Sequence, residues 1–171
     1  MNKADAENLI KEYGKSLYSF CLYCTRSKEA ADELYQETFL VALEKDEVAM
    51  EQNPKSYLIT IAANLWRNRM RKMAWRKRIA EVTYPGEEEL GQIADGGGSV
   101  EDEVIRRQEE ERVRACVLTL PEKHRIVILM YYMEEMSIEE IAHALAIPTG
   151  TVKSRLNKAR STLKEKLRYG E

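Results

Sequence analysis

Apolar residues along this chain recur at three- and four-residue intervals, and alternating strand-like runs are nearly absent, so the pattern predicts an all-α protein. Leu9, Ile10, Tyr13, Leu17, Phe20, Cys21 and Cys24 form one stripe, which predicts a first helix over about 4–24. Ser27 is placed to cap a second helix, about 28–45, with Leu34, Thr38, Val41 and Ala42 facing inward. Asn53-Pro54 is a further start signal: asparagine caps, and proline suits the first helical position because an N–H there would lack a helical partner anyway. The third helix is expected over about 54–78, with Leu58, Ile61, Ala62, Leu65 and Met70 along one side.

The helical pattern stops near Tyr84-Pro85-Gly86. The stretch that follows carries Gly96-Gly97-Gly98 and mostly acidic charge, a poor helix and a good joint. The chain therefore divides into two small helical domains, 1–81 and 103–171, joined by a flexible acidic linker over 82–102. Domains of that size must bury nearly all of their apolar stripes. In the second domain, helices are expected over about 103–118 and, after the break at Leu120-Pro121, over about 121–133. Ser137 and Glu140 have the spacing of a capping box. The helix they open puts Ile138, Ile141, Ala142 and Leu145 at core spacing, and Ile147-Pro148 closes a turn. A last helix, about 149–168, buries Val152, Leu156, Ala159, Leu163 and Leu167. Two short helices joined by a tight turn make a helix-turn-helix, a device for placing a helix in the DNA major groove.

Composition narrows the class. Of 171 residues, 44% are apolar and 33% charged, as in a soluble globular protein. No apolar run approaches the roughly 18 residues of a membrane span, and the N-terminus lacks a signal-peptide stretch, so a cytoplasmic protein without direct membrane insertion is expected. The net charge of −2 hides an uneven distribution. Residues 67–78 hold seven basic and no acidic side chains; residues 82–103 hold seven acidic and no basic ones. Two basic regions thus flank an acidic connector, and the global charge does not argue against a nucleic-acid partner. Cys21 and Cys24 form a single C-x-x-C on the face shared with Leu17 and Phe20, with Cys116 remote. That is short of four metal ligands, so these are expected as core thiols, with no metal and no cofactor.

Three constellations carry chemistry. With Val152, Leu156 and Ala159 inward, the last helix leaves Thr151, Lys153, Ser154, Arg155 and Lys158 outward near its N-terminal end, where they can reach base edges and phosphates. On the third helix Asn64, Arg67, Asn68, Arg71 and Lys72 share a face, with Trp66 and Trp75 close by. Basic side chains track phosphates, asparagine bonds base edges, and an exposed aromatic stacks on an unpaired base; the plainer alternative leaves the tryptophans in the core. On the second helix Asp32, Glu33, Gln36 and Glu37 line one face, followed by Phe39 and Leu40. Such a face suits docking on a basic protein surface, though charge runs are more often simply solvated. Paired carboxylates in a cleft, a Cys/His nucleophile pair and a phosphate loop are all missing, which argues against an enzyme or a small-molecule substrate.

The segments Ala31-Asp-Glu-Leu-Tyr-Gln-Glu-Thr-Phe-Leu-Val-Ala-Leu43, Pro54-Lys-Ser-Tyr-Leu-Ile-Thr-Ile-Ala-Ala-Asn-Leu65, Leu120-Pro-Glu-Lys-His-Arg125, Glu140-Ile-Ala and Pro148-Thr-Gly-Thr-Val-Lys-Ser-Arg155 follow one another in this order. The series resembles bacterial RNA polymerase sigma factors of the extracytoplasmic-function group, over nearly the whole chain. The resemblance implies that the Asp32–Glu37 face, with Phe39, docks on the polymerase core. It implies that Asn64, Trp66, Arg67, Asn68, Arg71 and Lys72 open and read the downstream promoter element. The last helix would read the upstream one, and the acidic linker would lie in the RNA exit path. It further implies promoter DNA and an anti-sigma factor as partners. Many members of the group carry Asp at the position of Asn68. Response-regulator output domains share Glu-Ile-Ala and Thr-Val-Lys, but the strands of a receiver domain are not evident here.

Overall fold

The computed structural model describes residues 3–45, 53–80 and 101–169. These form α1 (Lys3–Thr25), α2 (Lys28–Glu44), α3 (Pro54–Ala80), α4 (Glu101–Leu118), α5 (Glu122–Ile128), a π-helical turn (Leu129–Met133), α6 (Ile138–Leu145) and α7 (Thr149–Tyr169). Residues 81–100, most of the expected linker, lie outside the described residues, and α4 begins two residues before the predicted start.

The caps explain where the helices begin. The Ser27 hydroxyl accepts from the Ala30 amide at 3.3 Å, and Asn53 Oδ1 accepts from the Ser56 amide at 3.2 Å, so each satisfies a first-turn N–H that has no helical partner. Ser137 and Glu140 form the full reciprocal box, at 3.0 and 3.2 Å. The turn after α6 closes at Ile147, where the sequence places it, with a left-handed residue just before. Ala146 takes the left-handed conformation (φ 54°), and the Ile147 amide closes back on the Ala142 carbonyl. Gly150 lies inside the first turn of α7 and needs no positive φ.

α1, α2 and α3 pack as a three-helix bundle around Leu17, Phe20, Leu34, Leu58 and Ala62, all essentially inaccessible. Each of these leucines and the phenylalanine contributes about 1.5–3 kcal/mol of burial. Cys21 and Cys24 belong to this core; burial pushes the Cys21 thiol up to about 12 against the opposing Arg69 charge, and raises Cys24 as well. Ile10, expected in the stripe, is instead 45% exposed. In the second half α7 is the spine, touching α4, α5 and α6 through Val152, Leu156 and Ala159. Leu163 and Leu167 are only half-buried, because they face an open cleft that α7 forms with α1, α4 and the π turn.

The two halves also pack on each other. α1 touches α4, α5 and the π turn, and α3 touches α6, so that buried apolar residues form one continuous cluster. Arg125 is fully buried at this seam. It donates to the Leu120 carbonyl (2.7 Å) and to the Cys24 carbonyl at the end of α1 (2.8 Å), and it pairs with Glu122. Arg26, itself in the left-handed region, donates to Leu118 O at 3.1 Å.

The single predicted helix over 121–133 is in fact α5 followed by the π turn. The Glu134 amide reaches back five residues to Leu129 O (3.2 Å), and this wider turn shifts the register. Tyr132 is left exposed while the Glu134 carboxylate turns inward, 3.4 Å from Lys55 Nζ on α3. Burial holds this carboxyl above the usual carboxylate range, with Lys55 opposing. A carboxyl with a raised folded-state pKa contributes less to stability as pH rises from its unfolded value through its folded one. Glu134→Gln removes that loss. Its urea midpoint relative to wild type is expected to climb between pH 4 and pH 7; an offset independent of pH would reject the burial cause.

Candidate functional site

In the helix-turn-helix, burial of Val152, Leu156 and Ala159 fixes the rotation of α7. Lys153, Ser154 and Lys158 are exposed, and Thr151 and Arg155 are half-buried. Ser154 Oγ donates to Thr151 O at 3.0 Å. A Cβ built on Gly150 would meet nothing within 4 Å, so the start of α7 is sterically open to a docking surface. Cations and hydroxyls thus stand at an accessible helix start over an apolar footing, an arrangement able to enter a DNA groove.

The α3 surface divides in two. Asn64 Nδ2 donates to Ala144 O at 2.9 Å, and Arg67 donates to Leu145 O at 2.7 Å and to Asn64 Oδ1 at 3.3 Å. Carbonyls at the end of α6 lack helical partners and carry the negative end of the helix dipole, so they suit an amide and a guanidinium. Trp66 is only 6% exposed, and its indole N–H donates to Glu122 Oε2 at 2.9 Å. The ring continues the buried stripe of Ile59, Ala62 and Ala63, so here it packs in the seam and is not presented to a nucleic acid. Asn68, Arg71 and Lys72 are exposed. So is Trp75, at 64%. Trp75 stands four residues after Arg71 and seven after Asn68, a spacing that could have singled it out, but the expectation fell on Trp66 instead.

Between α3 and the second half lies a concavity of about 270 Å³, lined by Arg67, Arg71, Lys123 and Arg155 around Met70 and Ile126. Burial, with Arg71 and Arg155, holds the Arg67 pKa below its ordinary value. Burial, with Arg155, Lys158 and Lys123, lowers that of His124.

On α2 the acidic face is partly committed within the fold. Asp32 accepts from the Tyr18 hydroxyl at 2.6 Å, a bond that is the main cause pushing the phenol up to about 12. Glu37 is ion-paired with Arg69, and Glu33 lies 3.7 Å from the same guanidinium. Glu33 and Gln36 remain exposed. Phe39 does not flank this face as expected: it is 8% exposed and stacks edge-on against Tyr35 at 5.0 Å. The exposed apolar positions there are Leu40 and Leu43, since positions 39 and 42 complete the inward stripe of Leu34 and Thr38.

Residues 9–76 match the sigma-70 region 2 family and residues 110–163 match sigma-70 region 4. The chain is 32% identical to the ECF RNA polymerase sigma factor SigW of Bacillus subtilis over 165 residues, which is 94% of this chain and 88% of that protein. This chain is a sigma factor of the extracytoplasmic-function group. Such a factor directs promoter-specific transcription initiation. The sigma factor is also 31% identical to EcfG of Rhodopseudomonas palustris, covering 86% of this chain and 77% of that one. Its fold matches the sigma factor RpoE of Bartonella quintana, solved with the anti-sigma factor NepR, at a TM-score of 0.72 and 21% identity over 98% and 99% of the two chains. It matches CnrH, solved with the cytosolic domain of CnrY, at a TM-score of 0.64 and 20% identity over 99% and 92%.

Proposed function

We propose that the surfaces just described divide the work of initiation. The exposed Lys153, Ser154 and Lys158, with Thr151 and Arg155, read the upstream promoter element. Asn68, Arg71, Lys72 and Trp75, joined by Asn64 and Arg67 once these leave the α6 carbonyls, read and open the downstream element. Glu33 and Gln36, backed by Asp32 and Glu37, dock on the polymerase core. Trp66 and Phe39 act from beneath as packing.

The observation that carries this reading is the engagement of Asn64 and Arg67 with Ala144 O and Leu145 O. Two side chains suited to bases are spent on the helix-turn-helix itself. The isolated protein therefore binds duplex promoter DNA weakly, and core enzyme, by drawing the halves apart, confers specific initiation. Run-off transcription with core enzyme on the promoter upstream of its own gene tests this. A core-dependent transcript of defined start is expected; tight specific binding of the duplex by the free protein would contradict the reading.

Arg155→Ala gives a finer test. A bidentate contact to a guanine edge predicts a loss of about 1–3 kcal/mol confined to one base position of the upstream element. A uniform loss across all sequences, in electrophoretic titrations of the polymerase holoenzyme, would reduce Arg155 to a phosphate contact.

The same reading places an anti-sigma factor in the cleft of about 760 Å³ between α1, α4, the π turn and α7. Leu22, Val117 and Leu163 line it, with Arg160 and Lys164 at its edge, which suits an amphipathic helix bearing acidic side chains. No described helix is long and apolar enough to cross a membrane. The protein acts in the cytoplasm, and any hold at the membrane comes through that partner.

A further inference from the structure

We infer that the concavity between α3 and the second half is a binding site for a small polyphosphate anion, which holds the two halves together. Arg67, Arg71, Lys123 and Arg155 converge on about 270 Å³. The one carboxylate of the lining, Glu122, already serves the Arg125 guanidinium and the Trp66 indole. Arg67 is held in place by Leu145 O and Asn64 Oδ1, both through one terminal nitrogen, so its guanidinium is positioned before any ligand arrives. Like charges brought together in a partly desolvated space repel, and a multiply charged anion relieves that repulsion.

The donor set favours phosphate over carboxylate. Three of the four cations are guanidinium forks, which match phosphate oxygens in pairs, and four cations together call for more than one negative charge. Met70 and Ile126 add an apolar floor beside the charged wall, against which a base could lie. Lys123 belongs to α5 and has no part in the promoter-reading surfaces proposed above. The site is assembled from both halves, with Arg67 and Arg71 on α3 and Lys123 and Arg155 on α5 and α7. An anion bound there favours the packed arrangement and, by linkage, opposes whatever separates the halves. The packed site itself does not depend on the promoter-reading roles.

Calorimetric titration of the full chain at fixed ionic strength, with inorganic tripolyphosphate, magnesium-free ATP and orthophosphate in separate arms, tests the inference. One equivalent of tripolyphosphate is expected to bind, at least tenfold more tightly than orthophosphate. ATP binding more tightly than tripolyphosphate identifies a nucleoside polyphosphate; equal affinity identifies the phosphate chain alone. Lys123→Ala and Arg71→Ala are each expected to weaken binding fivefold or more. Lys28→Ala, an equal change of charge on the exposed start of α2, is expected to alter it less than twofold. At fixed free magnesium, tripolyphosphate is expected to inhibit core-dependent transcription by the wild type more than by Lys123→Ala, which keeps its activity without the anion. Absence of saturable binding, several weak equivalents, or equal weakening by Lys28→Ala and Lys123→Ala overturns the site. A failure of core-dependent transcription in the wild type bears on the promoter reading and leaves the binding result standing.

Discussion

Arg125→Ala is expected to destabilise the protein by about 3–5 kcal/mol, the size typical of breaking a buried charged network. The Arg125 side chain is fully buried, yet it bridges three parts of the fold. It reaches the Leu120 carbonyl before α5, the Cys24 carbonyl at the end of α1, and the Glu122 carboxylate one turn back. Hydrogen bonds from a charged donor contribute roughly 1.5–3 kcal/mol each, and truncation leaves both carbonyls in a space too apolar to repay them with water. Arg125→Lys keeps the charge but cannot span two carbonyls and a carboxylate in the plane of one fork, so about half the loss is expected to remain. Urea unfolding followed by far-ultraviolet circular dichroism measures both. The exposed neighbour Lys123→Ala should stay within about 0.5 kcal/mol of wild type. A loss below about 1 kcal/mol for Arg125→Ala would show that the bridge is incidental to the packing of the halves.

Arg125 also marks the limit of what the sequence discloses. The helices were legible because capping and periodicity are local: Ser27, Asn53 and the Ser137–Glu140 pair stand where the helices start. The outward cations of α7 were legible for the same reason, since Val152, Leu156 and Ala159 fix its rotation. What escaped was non-local. Trp66 looks like an exposed stacking residue until Glu122, 56 positions away, supplies an acceptor for its indole. Phe39 looks like the rim of a docking face until Tyr35 and the bundle cover it. Arg125 carries no sequence signal of its burial, because no spacing rule links it to Cys24, 101 residues earlier. The π turn escaped for a related reason: its apolar residues fit an α-helical period well enough, and the five-residue reach of the Glu134 amide and the packing of Glu134 toward Lys55 show the shifted register.

These non-local commitments decide how the proposed polymerase-docking face should be tested. Reversing charge at Asp32 would also remove the acceptor of the Tyr18 hydroxyl, and reversing it at Glu37 would put a cation against Arg69. A loss of core affinity in either variant would mix docking with damage to the α1–α2–α3 bundle. Glu33 and Gln36 are free of this difficulty: both are exposed, and the 3.7 Å approach of Glu33 to Arg69 is between a side chain 74% exposed and one 29% exposed, a pair of small worth. The double variant Glu33→Lys/Gln36→Lys is therefore expected to unfold within about 0.5 kcal/mol of wild type. Against a basic partner surface it replaces attraction by repulsion, and like charges set against each other at an interface cost several kcal/mol. A weakening of core binding by about 2–3 kcal/mol, roughly thirty- to a hundred-and-fortyfold, is expected in fluorescence-anisotropy titrations of labelled protein with core enzyme. The loss should shrink as salt rises, because exposed charges are screened beyond about 8–10 Å at physiological ionic strength. Glu7→Lys, on the exposed start of α1, makes the same charge reversal as Glu33→Lys away from this face and should leave affinity unchanged. If the double variant binds core as wild type does, the docking face lies elsewhere, and the exposed Leu40 and Leu43 beside it become solvated positions of no consequence for the polymerase.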